Sequence, residues 1–78
     1  MGLYTIYEVD DFRRKTNLLG VFEGLNENDV RVKASNHLKL NDILKYPGFY
    51  SCNIITKEQL NRKKEILLIG LNKLNIIK

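Results

Sequence analysis

LNENDVRVKASNHLKLNDILKYPGFYSCNII, Leu25–Ile55, is the stretch that decides how the rest of this 78-residue chain is read. Val30, Ala34 and Leu38 recur at i, i+4, i+8 and so stack on one helical face. Asn26 and Asn28 are both good N-caps, and Glu27 and Asp29 then lie near the positive end of the helix. Leu40 falls in a turn from which it can drop into the same core. Asn41 or Asp42 can cap a second helix carrying Ile43, Leu44 and Tyr46. Pro47 stops that helix, and Pro47-Gly48 suits the centre of a type II turn. Val30–Ala34 (VRVKA) also alternates strictly, which is a strand pattern. Helix is preferred, because Ala34, Leu38 and Leu40 continue at helical spacing and Asn36-His37 would not suit a strand.

The step from Ala34 through Leu38 to Leu40 and the following apolar pair is a partial helix-turn-helix pattern. A small residue is needed where two helices approach closely, and Ala34 supplies it. Lys39 stands where a glycine often marks the turn, and the second helix is short for a recognition helix. The competing reading is a helical hairpin that only builds a core.

Upstream, Leu3–Val9 (LYTIYEV) is β-branched and aromatic and reads as a strand. One face would carry Leu3, Thr5, Tyr7 and Val9, the other Tyr4, Ile6 and Glu8; Glu8 favours the first as the core face. Asp10–Asn17 is a polar, basic loop, and Leu18–Gly24 a second strand antiparallel to the first. Gly20 and Gly24 suggest a bulge or an exit turn there. Arg13, Arg14 and Lys15 then sit at the hairpin tip, either as a basic wing touching phosphates or as a solvated loop.

Downstream, Phe49–Ile55 reads as a third strand. Thr56-Lys57-Glu58-Gln59 has capping-box spacing and opens a helix supported by Glu58→Arg62 and Gln59→Lys63. Gly70 costs ~1 kcal/mol inside a helix. The helix either ends there, leaving Leu74–Ile77 as a tail or a fourth strand, or continues for about twenty residues, ~30 Å. A continuous helix would carry one stripe of Leu60, Leu67, Leu71 and Leu74 and a second of Ile66, Ile69 and Ile77. A helix apolar on two sides is usually buried on both. Ile66, Ile69 and Ile77 are therefore the expected partner interface, in a homodimer or against another protein. The expected fold is α+β: a small three-stranded antiparallel sheet, a helix-turn-helix-like pair and a C-terminal helix, in the order β-β-α-α-β-α. It makes a single domain, 1–78, with a modular unit over 4–55 and the last helix over 56–78.

So short a chain buries only ~60–65% of its unfolded surface, so a partner subunit would help it. Cys52 is the one cysteine, so no internal disulfide is possible, and a reducing cytoplasm is the expected compartment. On a strand it reads as a small buried hydrophobe rather than a nucleophile. Met1–Tyr7 lacks the basic segment and long apolar run of a signal peptide, and the apolar run Ile66–Ile69 is far too short to span a bilayer. No membrane partner is expected. A net charge of +4 disfavours an acidic mimic of nucleic acid and permits a nucleic-acid surface.

Catalysis has little support. His37 has no Ser, Cys or carboxylate at an informative spacing, and a general base needs an oriented partner. Beside Asn36 it reads as a surface residue. Asp10-Asp11 is a plausible acidic pair for a cation, but adjacent side chains diverge and no third ligand is near. There is no CxxC, no phosphate-binding glycine-rich loop and no metal-ligand cluster. A non-enzyme without cofactor or metal is expected.

Tyr7-Glu8-Val9, Leu19-Gly20-Val21-Phe22, the Ala34…Leu38-Lys39-Leu40 step and the Gly48-Phe49-Tyr50…Ile54-Ile55 return resemble the small modular domains that accompany phage and intron-encoded homing endonucleases. Stand-alone phage proteins share the pattern. In that family a strand pair, a helix-turn-helix and a returning strand make a DNA-contacting unit. The resemblance covers roughly Tyr4–Ile55, leaves the last helix outside and includes no endonuclease domain. It implies a small phage or mobile-element regulatory protein that binds DNA or RNA. Arg13, Arg14 and Lys15 on the hairpin and Lys39 and Lys45 around the second helix are the candidate contacts. The alternative class is a phage-encoded stoichiometric inhibitor of a host protein such as a defence nuclease, an anti-CRISPR-like role.

Overall fold

Strand β1 (Gly2–Val9) carries the sheet. In the computed structural model, which describes residues 1–66 and 76–77 and side chains through 62 and at 76 and 77, it is paired along both edges. Strand β2 (Lys15–Gly24) runs antiparallel beside it, with Tyr4 opposite Phe22 and Ile6 opposite Gly20. Strand β3 (Tyr50–Ile55) runs antiparallel on the other side, with Ile6 opposite Cys52. A short strand β4 (Ile76–Ile77) pairs parallel with β2, Val21 opposite Ile76 and Phe22 opposite Ile77. The sheet order is β3-β1-β2-β4.

The α+β class holds, but the expected three-stranded antiparallel sheet is corrected to a four-stranded mixed one. Of the alternatives for the end of the chain, strand is right for Ile76–Ile77. Ile77 therefore belongs to a strand, half-buried against the core, and not to a helical stripe. Leu67, Ile69, Gly70, Leu71 and Leu74, and the side chain of Ile66, lie outside the described residues. So does the question whether the last helix passes Gly70.

Helix α1 (Glu27–Leu38) begins as the capping pattern requires. The Asn26 side chain accepts from the Asp29 amide at 2.8 Å, and the Asp29 carboxylate accepts from the Leu25 amide at 3.0 Å. VRVKA is thus helical. The helix ends at Lys39 with φ 57°, a left-handed conformation that glycine adopts more easily. Its amide closes on the Ser35 carbonyl, so the glycine-like turn exists without the glycine.

Helix α2 (Asp42–Lys45) is a single turn, ~6 Å long. The helix pair of the expected helix-turn-helix is present, but its second member is too short to lie along a groove. Pro47–Phe49 forms a 3₁₀ turn, and Gly48 does not take the positive φ that a type II turn needs. Helix α3 starts at Lys57, is described to Ile66, and opens with the expected capping box: Gln59 amide to Thr56 Oγ1 at 3.1 Å, Thr56 amide to Gln59 Oε1 at 3.0 Å.

Both faces of the sheet are covered. Ile6 and Phe22 lie under α1 and α2, in a buried cluster with Val30, Ala34 and Ile43. Leu3, Val21 and Ile55 point the other way and meet Leu60 of α3. The choice between two faces of β1 was therefore a false one, since Glu8 stands beyond the covered part of its face and Ile6 is fully buried. Gly24 is required where α1 crosses β2: a Cβ there would lie 2.6 Å from Val30 Cγ2. Gly20 makes room for the Phe22 ring, beside the register shift that sets Leu19 apart from the ladder.

Ala34 is fully buried in the same cluster as Ile43. An Ala34→Glu chain would bury a charge with no partner, at a cost of about 3 kcal/mol or more. We expect it to be unfolded at room temperature by circular dichroism. A melt unchanged from the parent chain would show that this helix pairing is wrong.

Candidate nucleic-acid interface

The β1–β2 hairpin turns through three residues, Asp11, Phe12 and Arg13, not through the longer loop the polar run suggested. Asp10 holds the turn. Its backbone carbonyl accepts from the Arg13 amide at 2.9 Å, and its amide donates to the Arg14 carbonyl at 3.0 Å. Its Oδ1 accepts from the amides of Phe12 and Arg14, both at 2.9 Å. Arg14 Nε reaches Asp10 Oδ2 at 2.9 Å. Arg13, with φ 59°, takes the left-handed position that closes such three-residue hairpins. Asp10 is therefore a turn residue and not half of a cation site, and no metal-ligand cluster occurs among the described residues.

This turn presents its side chains to water. Phe12 is 79% exposed, with the Arg14 guanidinium 5.1 Å from its ring centre. Lys15 lies 5.0 Å over the Tyr7 ring. Arg13 enters no ion pair among the described residues, and lines a small cleft with Val9, Pro47, Gly48, Tyr50 and Ser51, about 270 Å³ in volume. The cleft joins the hairpin tip to the 3₁₀ turn. Tyr46 and Phe49 flank that turn, both more than half exposed, with ring centres 6.1 Å apart.

Of the candidate contacts, Arg13, Arg14 and Lys15 are thus gathered at one tip. Lys45 ends α2, two residues before Pro47, and is exposed. Lys39 is exposed at the far cap of α1 and is not a lining residue of the Arg13 cleft. The other cations of α1 are turned inward. Arg31 binds Glu27 at 2.8 Å and the Tyr50 carbonyl at 3.0 Å, and Lys33 binds the Glu23 carbonyl at 2.9 Å. Phe12, Tyr46 and Phe49 are exposed aromatics near these cations that sequence reasoning did not single out. The available signal was an aromatic inside a turn predicted to be exposed, beside three cations.

Asp42 is occupied by the Tyr50 hydroxyl at 2.6 Å, which pushes that phenol up to about 12, with desolvation adding to the effect. His37 is exposed, edge-on to Phe22 at 6.2 Å. Cys52 is half-buried on β3, and burial pushes its thiol up to about 11. That is the environment of a packing cysteine, since the thiolate is the nucleophile. No helix among the described residues is long and apolar enough to cross a membrane. The chain matches no protein-family model, no curated protein and no solved structure.

Two measurements follow from these environments. Hydrogen bonds from the Arg14 amide, then from its guanidinium and the Phe12 amide, outweigh desolvation and hold the Asp10 carboxyl below its ordinary 3.8. A lowered folded value means stability present above pH 3.8 and lost as pH falls through the lowered value. Carboxyl NMR titration should find Asp10 below a free aspartate, and in Asp10→Ala the amides of Phe12 and Arg14 should exchange faster. Cys52 should react with a disulfide reagent at pH 7.5 more than tenfold slower than in the denatured chain, about the discrimination a thiolate two units harder to form allows.

Proposed function

We propose that the protein is a small non-enzymatic regulator, of phage or mobile-element type, that binds nucleic acid. The contacts come from the hairpin tip and the adjoining turn, not from a recognition helix. The observation that carries this reading is the tip itself. Three consecutive cations stand at a hydrogen-bonded turn, two of them, Arg13 and Lys15, in no ion pair among the described residues, beside exposed aromatic rings. Phosphate attracts such a cluster, and aromatic rings offer stacking surface to bases. The net charge of +4 supports the reading, and so does the likeness of Tyr4–Ile55 to the DNA-contacting modules of homing endonucleases. The single thiol agrees with work in a reducing cytoplasm.

A second reading has its own observation. Met1, Leu25 and Ile54 are each more than two-thirds exposed, and they cluster at the end of the sheet away from the hairpin. Gly2 pairs with Gly24, and a Cβ built on it would lie 3.2 Å from Ile54 Cδ1. An apolar surface of this kind suits a protein partner, as a stoichiometric inhibitor of a host enzyme would need. A pull-down from host lysate with and without nuclease separates the two. Partners lost on nuclease treatment support nucleic acid, and a surviving stoichiometric protein supports the inhibitor.

The nucleic-acid reading makes a quantitative demand. If Arg13, Lys15 and Lys45 each touch a phosphate, affinity should fall about twentyfold or more between 50 and 200 mM salt. Charge reversal at these three, leaving Arg14 to hold the turn, should abolish binding without changing the melt. Absence of any gel retardation of duplex or single-stranded probes at low salt would sink the proposal.

A further inference from the structure

We propose that the tip takes an unpaired strand rather than a duplex, with one base seated in the cleft between Arg13 and the Pro47-Gly48 corner. This rests on the nucleic-acid reading above and names its ligand class. The shared chemistry is a nucleobase on a flexible phosphodiester, whether the sugar is ribose or deoxyribose.

Three observations lead there. Duplex reading by a helix needs an element that lies in the major groove. Helix α2 has four residues; Ile43 among them is fully buried, and Asp42 is held by the Tyr50 hydroxyl. What projects instead is aromatic. Phe12, Tyr46 and Phe49 are 79, 57 and 56% exposed. A phenyl ring such as that of Phe12 or Phe49 has no donor or acceptor with which to read base edges in a groove. It matches the flat face of a base, which a duplex keeps inside its stack. The third observation is the cleft. At about 270 Å³ it is smaller than the pockets that hold drug-sized ligands, and suits one planar ring.

The walls have complementary roles. Arg13 brings a planar guanidinium with several donors, suited to stacking on a ring or pairing with a phosphate. Its left-handed backbone is set by the Asp10 network and does not have to be organised on binding. Ser51 supplies a hydroxyl whose oxygen accepts from Asn53 Nδ2, leaving its proton to donate. Gly48 keeps its side open, since a Cβ built there meets nothing within 4 Å. On the outside, Phe12 is covered by the Arg14 guanidinium at 5.1 Å and otherwise faces water. A neighbouring base can stack there while Lys15 or Lys45 meets the intervening phosphate.

The test uses the full chain and fluorescence anisotropy. Probes are DNA and RNA oligonucleotides of about twelve nucleotides, single-stranded and as duplexes. Single strands should bind at least about tenfold more tightly than duplexes of the same sequence. Phe12→Ala should weaken single-strand binding about five- to hundredfold, the loss expected of one stacked base. Gly48→Leu should weaken it at least about fivefold by filling the cleft. Neither change touches buried structure, and unchanged circular dichroism melts verify this. Comparison of the DNA and RNA probes assigns the sugar. Duplexes binding as well as single strands, or either variant keeping the parent affinity, overturns the inference and leaves the salt-dependent binding standing. No binding by any probe removes both readings.

Discussion

Thr5 and Ile6 are neighbours on β1, point to opposite faces of the sheet, and are both essentially inaccessible to water. That pair sets the constraint on everything else. A strand buried on one face needs one layer above it; a strand buried on both needs two. Val21 and Phe22 repeat the arrangement on β2, each fully buried and each in a different cluster. The small supply of apolar residues is therefore divided between two cores. Helices α1 and α2 close one, and α3 closes the other. Neither core is large, and β1 belongs to both, so loss of either layer opens the strand on which the remaining layer rests.

The candidate site is the by-product of how two connections solve local problems. Joining β1 to β2 in three residues demands a left-handed backbone, and Arg13 accepts it because Asp10 collects the turn's amides. Joining α2 to β3 demands a stop, and Pro47 supplies it by closing a 3₁₀ turn. The two connections meet because β3 starts opposite Glu8, near the end of β1. Exposed rings on short, hydrogen-bonded turns lose little freedom on binding, which is why such surfaces bind well for their size.

Much of the fold was legible where the signal is local. The strands of the hairpin, the Asn26 cap of α1 and the Thr56–Gln59 box of α3 are all patterns within a few residues, and all are present. What the letters left open or did not show is non-local. Ile76 and Ile77 carry no periodicity of their own and become a strand only because β2 has a free edge. The second helix is as short as expected, but of the residues it was to carry only Ile43 is buried, and about half of Leu44 and of Tyr46 is exposed. The same holds for the site. Three adjacent cations between two strands are visible in the letters. The exposure of Phe12 and the cleft beside Arg13 depend on where Pro47 arrives, which no spacing rule states. Asp10 was read as a possible ligand, although an aspartate opening a tight turn more often binds backbone amides, as it does here.

The parallel pairing of residues 21–22 with 76–77 has a consequence for synthesis on the ribosome. The hairpin of β1 and β2 is complete in the first third of the chain and can form as soon as it emerges, since its contacts are local. The far edge of β2 then stays open until Ile76 and Ile77 have emerged. For that interval a nascent chain displays Val21 and Phe22 on an unpaired strand, the kind of edge that recruits other nascent chains. Slower translation of the stretch that precedes Ile76 would lengthen this exposure and favour association between nascent chains.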